Sequence, residues 1–231
     1  MKRRPSPGGR EIVFGRNAGL ECLRAGRRTV HRAYLLAGGE FDQDFRDFSD
    51  TIEFDESSRS DLDRLAKGGV HQGIVLEADP LPRFDAREWL ESDLPRDVIA
   101  VFLDSVTDPH NLGAIARSAV AFGARALVIP EDRAAPITPT AVKAASGALE
   151  HIDLVSVTNL ARTMALMKDH QFWLAALDPE GDRDLWDADL TGRIGLVIGS
   201  EGKGLRRLVR ESCDFALRIP LSGPMPSLNA S

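Results

Sequence analysis

Leu103-Asp104-Ser105-Val106-Thr107-Asp108-Pro109-His110-Asn111-Leu112-Gly113-Ala114-Ile115-Ala116-Arg117 carries the chain from an apolar run, through a polar loop, into a helix. Ile99–Leu103 reads as a buried strand, and Asp104–His110 is a loop at its C-terminal end, where open α/β sheets bind their ligands. Asn111 is a good N-cap residue, and a helix over Leu112–Phe122 closes at Gly123. Helical side chains tilt toward the N-terminus, so Arg117 can lean back toward the loop along a face that Gly113 leaves open. A guanidinium there would offer phosphate or a ribose hydroxyl a rigid set of donors. Asn111 can equally be a mere cap and Arg117 a surface ion-pair partner; this stretch alone leaves both readings open.

The same grammar recurs twice. Ile194–Ile198 is a second buried strand, followed by the glycine-rich turn Gly199-Ser200-Glu201-Gly202-Lys203-Gly204 and a helix from Leu205. Such a turn lets backbone approach an adenosine or a phosphate, with Glu201 adding a carboxylate; as ordinary turn glycines and a capping acid the same residues need no ligand. The strand Phe215–Ile219 then leaves the sheet at Pro220. A loop stiffened by Pro224 and Pro226 leads to Ser227-Leu228-Asn229, where Ser227 is a natural cap for a further helix.

Outward from these segments, short apolar strands (Ala126–Ile129, Ile152–Val155, Trp173–Leu177) alternate with helices near Pro139–Ala144, Leu160–His170 and Leu205–Glu211. That alternation predicts an α/β fold with a mainly parallel sheet covered on both faces. Upstream, residues 11–78 read as a small α/β unit with helices near Asn17–Arg24 and Ser60–Ala66 and strands at Ala33–Leu36 and Gly73–Glu77. Residues 1–10 read as a disordered basic tail, and residues 79–96, with three prolines, as a linker with room for one short helix. Residues 97–231 form the larger unit.

At 231 residues, with 43% hydrophobic and 28% charged residues, the chain has the composition of an ordinary soluble globular protein. No apolar run nears the roughly 18 residues that cross a bilayer, and no secretory signal is visible, so the cytoplasm is the expected location. Cys22 and Cys213 lack metal-ligand or CxxC spacing, the five histidines show no ligand pattern, and no metal is expected. No GxGxxG follows a strand, and Gly204 stands where a P-loop needs Ser or Thr.

The net charge of −6 argues against indiscriminate polyanion binding, but it is unevenly spread. Residues 1–35 hold nine Lys/Arg against two acids, whereas 36–64 hold ten acids against three arginines. Lys203, Arg206, Arg207, Arg210 and Arg218 surround the glycine-rich turn. Basic patches on an acidic protein suit a specific RNA partner; they can also be solvated helix faces.

Taken together and in this order, the three strand-end segments resemble the motifs of the SpoU/TrmH family of RNA ribose 2′-O-methyltransferases. Thr158–Met164, Gly69–Ile74 and Glu11–Gly15 are similar to the branch that acts on guanosine in 23S ribosomal RNA, so the resemblance spans about residues 11–231. It implies a trefoil-knotted methyltransferase domain behind an L30-like RNA-binding domain, working as a homodimer on ribosomal RNA. It implies S-adenosylmethionine bound by Gly199, Ile219 and Leu228, with Ile198, Ser200 and Pro220 beside them. Arg117 matches the family's catalytic arginine, and Asn111, Glu201, Ser227 and Asn229 match its other polar motif residues. An arginine is a poor base, which favours Arg117 as a positioning group over proton abstraction. The prolines at 224 and 226 depart from the family's usual small polar residues. The family also continues past the third motif into a helix that threads the knot and packs in the dimer, so a chain ending at Ser231 is expected to be truncated and less stable as a dimer. A non-catalytic RNA-binding or ribosome-assembly factor, and a transfer-RNA methyltransferase, are the competing readings.

Overall fold

The structure, a computed structural model, describes residues 9–39, 43–132, 134–224 and 228–230. The first unit opens with β1 (Glu11–Phe14) and α1 (Arg16–Ala25), then β2 (Val30–Leu36), α2 (Gln43–Arg46), β3 (Phe54–Ser57), α3 (Arg59–Leu65) and β4 (Ile74–Ala78). Its four strands are ordered β1-β4-β2-β3, antiparallel except for the β2–β3 pair. α1 ends at Gly26 in the left-handed region and lays Ala18, Leu20, Cys22 and Leu23 against Val13, Ile74 and Leu76.

The second unit alternates strand and helix: β5 (Arg83–Phe84), α4 (Ala86–Leu90), β6 (Val98–Leu103), α5 (Pro109–Ala121), β7 (Ala126–Pro130), α6 (Pro139–Ala145), β8 (Asp153–Val157), α7 (Leu160–Asp169), β9 (Phe172–Leu177), β10 (Arg183–Asp184), β11 (Arg193–Ile198), α8 (Arg207–Glu211) and β12 (Phe215–Arg218). The strands form one parallel sheet ordered β10-β12-β9-β11-β6-β7-β8-β5. Both faces are covered, as the continuous apolar strands predict. On β6, Ala100 and Phe102 point into a core shared with α4 and α7, while Val101 and Leu103 pack with Leu112, Ile115 and Ala116 of α5.

Three local readings change. The α5 helix starts earlier than expected: Asp108 is its cap, accepting from the His110 amide at 2.9 Å, and Pro109 takes the first helical position. Asn111 is therefore inside the first turn, with its side chain free for another task. The Gly113 face is not open. A Cβ there would lie 2.5 Å from the Ala141 carbonyl oxygen, because α6 packs directly onto α5 at that glycine. The 79–96 segment, read as a linker with room for one short helix, does hold that helix as α4, but it is packed onto the second unit. Phe84 pairs in register with Val155 at the sheet edge, and Trp89 is fully buried, donating from Nε1 to Asp153 at 3.1 Å.

The two units meet through buried charge. From the α1–β2 turn, Arg27 donates to Asp153 at 2.6 Å and to the Ile152 carbonyl at 2.9 Å. Its neighbour Arg28 pairs with Glu150 and, at 2.9 Å, with Glu11. The Arg28 and Glu150 side chains are each only 1% exposed. Burial pushes the Glu150 carboxyl above its usual range despite the opposing pull of Arg28. Cys22 lies beside this pair as a free thiol pushed up to about 11 by burial, and Cys213 is likewise unpaired. Among the described residues no helix is long and apolar enough to cross a membrane.

Breaking the buried pair should be far more costly than replacing it. Glu150→Ala strands the Arg28 guanidinium and should lower unfolding free energy by about 3–5 kcal/mol, whereas Arg28→Met with Glu150→Met should recover most of that loss. Urea unfolding followed by circular dichroism measures both; a double variant as unstable as Glu150→Ala would contradict this account.

Candidate active site

Strands β6 and β11 are direct neighbours, with Leu103 opposite Ile198, so the loops that follow them leave the same sheet edge side by side. The Asp104 amide extends the pairing by donating to the Ile198 carbonyl at 2.8 Å. The Asp104 side chain is fully buried. It accepts from the Arg206 backbone amide at 2.8 Å and from Arg206 Nε at 2.6 Å, so the first loop anchors the far end of the second. Ser105 follows with φ 62°, a conformation non-glycine residues adopt rarely and at a cost, typically where surrounding contacts enforce it.

The glycine-rich turn is folded on itself. The Ser200 amide donates to the Gly204 carbonyl at 3.1 Å, and the Gly204 amide returns a bond to Ser200 at 2.9 Å. Gly199 is what permits this closure: a Cβ on it would stand 2.3 Å from the Gly204 carbonyl carbon. The turn presents Glu201 outward, and Asn111 Nδ2 donates to Glu201 Oε1 at 2.9 Å. Asn111 is buried while Glu201 is exposed, so the amide orients a carboxylate that still has a free face.

The third segment leaves β12, which is separated from β11 by β9. Ile219 and Leu228 are exposed large apolar side chains there, and Pro220 and Asn229 are exposed as well. Ile198 packs against the core on the α5 side, as does Ala230. Ser227 lies outside the described residues.

Of the sequence-derived residues, the structure brings Asn111, Glu201, Ile198, Gly199 and Ser200 into one cluster. It does not bring Arg117 there. Six residues past Asn111, Arg117 is turned about 240° around α5 and displaced ~9 Å along it. It lines a cleft between α1 and the C-terminal half of α5. The lean toward the loop expected from the sequence fails because α6 occupies the Gly113 face.

The sequence reading missed Asp104 and misread Arg206 as part of a basic patch. Four members of that patch are in fact paired: Arg206 with Asp104, Arg207 with Glu211, Arg210 with Asp178 and Arg218 with Asp184. The available signal was a lone acid abutting an apolar strand, which must either reach solvent or meet a cation. No group of residues suited to a metal occurs among the described residues.

Comparison with known proteins identifies the family. The model of the SpoU rRNA methylase family matches residues 98–231, and the model described as RNA 2′-O ribose methyltransferase substrate binding matches residues 12–84. The 23S rRNA (guanosine-2′-O-)-methyltransferase RlmB of Escherichia coli K12 is 39% identical, over 96% of this chain and 93% of its own. The SpoU methyltransferase AviRb from Streptomyces viridochromogenes, solved with the cofactor AdoMet, superposes with TM-score 0.77 at 27% identity over 96% of this chain and 85% of its own. The Aquifex aeolicus TrmH/SpoU tRNA modifying enzyme superposes with TM-score 0.51 at 28% identity, over 63% of this chain and 73% of its own. With a family model over residues 98–231, more than half of the chain, and 39% identity to a curated member along nearly its full length, this protein belongs to the SpoU rRNA methylase family.

Proposed function

We propose that this protein transfers the methyl group of S-adenosylmethionine to the 2′-hydroxyl of a guanosine in large-subunit ribosomal RNA. The observation that carries the reading is the Asn111–Glu201 hydrogen bond, which joins two motif loops at the carboxyl ends of adjacent parallel strands. The 39% identity to RlmB over 96% of the chain supports the ribosomal substrate, as does the match of residues 12–84 to the substrate-binding model.

The residues present fit the cofactor. Gly199 lets backbone close on the turn without a side chain in the way, and Ile219 and Leu228 of the third segment are exposed apolar groups suited to an adenine face. When bound, S-adenosylmethionine supplies an electrophilic methyl on a sulfonium. Gly199, Ile219 and Leu228, with Ile198, Ser200 and Pro220, form the cofactor pocket in this proposal. Glu201, held by Asn111, takes a ribose hydroxyl, and Ser227 and Asn229 are the further polar residues assigned to the site by motif. Arg117 positions the RNA. A guanidinium is a poor base, so its role in this proposal is to hold the RNA in place rather than to abstract the proton.

Residues 11–78 are proposed as an L30-like RNA-binding domain and residues 97–231 as a trefoil-knotted methyltransferase domain, with 79–96 between them. The return of Ala230 onto the α5-side core supports the knot. Exposed Phe122, Leu208 and Leu228 support a homodimer, and a ribosomal RNA substrate supports a cytoplasmic location. Mapping 2′-O-methyl groups in ribosomal RNA from cells with and without this protein tests the function. One guanosine of 23S RNA should lose its methyl group; an unchanged map would sink the proposal. A protein that binds RNA but not S-adenosylmethionine would instead be an assembly factor.

Two substitutions test the site. Gly199→Ala should abolish detectable S-adenosylmethionine binding in calorimetric titration while circular dichroism stays near wild type, since the added methyl collides with backbone. Arg117→Lys should reduce kcat about a hundredfold, the penalty for a misplaced reactant, with little change in cofactor affinity. Near-full turnover would remove any specific guanidinium role.

A further inference from the structure

The cleft that receives Arg117 has a volume of about 430 Å³, within the range of small-ligand sites. Its walls come from different units. α1 contributes Arg16, Glu21 and Arg24, α5 contributes Arg117, and the turn after α6 contributes His151. Leu20, Val120 and Ala121 supply apolar floor.

The charges on the α1 wall form a chain of alternating sign. Asp44 on α2 receives Arg16 at 2.8 Å and Arg24 at 3.5 Å; Glu21 receives Arg24 at 3.0 Å and His151 at 2.7 Å. Burial pushes the Glu21 carboxyl up, but the bonds from His151 and Arg24 outweigh it and hold the group below its usual range. Across the cleft, Arg117 has no ion pair among the described residues. Three guanidinium groups, those of Arg16, Arg24 and Arg117, therefore line one space. The Arg16 and Arg24 side chains are each nearly half exposed, so their ion pairs are weak enough for a polyanion to displace.

We infer that this cleft is a binding site for the phosphodiester backbone of the RNA strand, held by Arg16 and Arg24 from one unit and Arg117 from the other, and gated by Asp44. The inference rests on the RNA substrate proposed above. A phosphate entering between the walls takes over the Arg16 and Arg24 donors that Asp44 holds in the free protein, and meets the open fork of Arg117. Asp44 then acts as a competitor for the RNA and sets a threshold against weakly charged ligands. Because Asn111 is on the same helix ~9 Å away, a strand seated on Arg117 is led toward the Asn111–Glu201 pair.

The test is filter binding of a 23S ribosomal RNA transcript across a KCl series, paired with methyl-transfer kinetics. Arg16→Gln with Arg24→Gln should flatten the slope of log affinity against log salt by about 1.4, two single-strand phosphate contacts. KM for RNA should rise while kcat at saturation holds. Asp44→Asn should tighten RNA binding about two- to fivefold, the strength of an exposed ion pair. A lost negative charge can tighten polyanion binding from elsewhere on the surface, so Asp44→Asn is read against Asp50→Asn, an exposed acid outside the cleft, and a gain beyond that control decides the matter even if the double substitution fails to fold. A wild-type slope in the double variant, or binding in Asp44→Asn no tighter than in Asp50→Asn, overturns the site while leaving the function standing. A wild-type protein that binds no ribosomal RNA overturns both.

Discussion

A carboxylate with no solvent exposure has to be matched by a cation and by hydrogen-bond donors, or it destabilises the fold by several kcal/mol. Asp104 meets that demand chiefly through Arg206, taking both its backbone amide and its guanidinium, with the Ser105 hydroxyl donating at 3.3 Å. Because Arg206 stands at the far end of the glycine-rich turn, the same contact that neutralises Asp104 fixes the span from Gly199 to Arg206. Gly199 can then lie directly against Gly204, and Glu201 is delivered to Asn111. The geometry of the candidate site thus follows from one buried charge and the neighbour that satisfies it.

The relation between the two units is set in a similar way at a different place. Arg27 and Arg28 lie in the short turn after α1 and reach into the second unit, where Asp153, Glu150 and the Ile152 carbonyl receive them. Asp153 also accepts from Trp89, so the segment between the units is tied to the same carboxylate. This network holds α1 over α5 and α6 and leaves a charged cleft along their seam. Two cations of the basic N-terminal stretch are thereby committed to architecture, while Arg16 and Arg24 still face solvent and Arg117.

Much of the second unit was legible in the sequence. Ile99–Leu103, Ala126–Ile129, Trp173–Leu177 and Ile194–Ile198 are continuous apolar runs, and a strand buried on both faces needs such a run whatever lies beside it. The helices between them carry their own caps, as Asn159 does for α7 by accepting from the Arg162 amide at 3.0 Å. The short strands β1, β3, β5 and β10 were not legible. At two to four residues they have too few positions to show a period, and pairing partners distant in sequence create them.

The site divides along the same line. Local chemistry was enough to single out Asn111, Gly199 and Glu201, since a polar loop after a buried strand and a glycine-rich turn are both written in consecutive residues. The sequence by itself determined the alternation of strand and helix, the parallel sheet and the three strand-end motifs. Only the tertiary structure decided which charges meet. It paired Asp104 with Arg206 across 102 positions and Arg28 with Glu150 across 122, and it turned Arg117 away from the loop toward α1. A charge's partner depends on which helix packs on which face. At Gly113 that was settled by the close approach of α6, a contact between surfaces that no local pattern records.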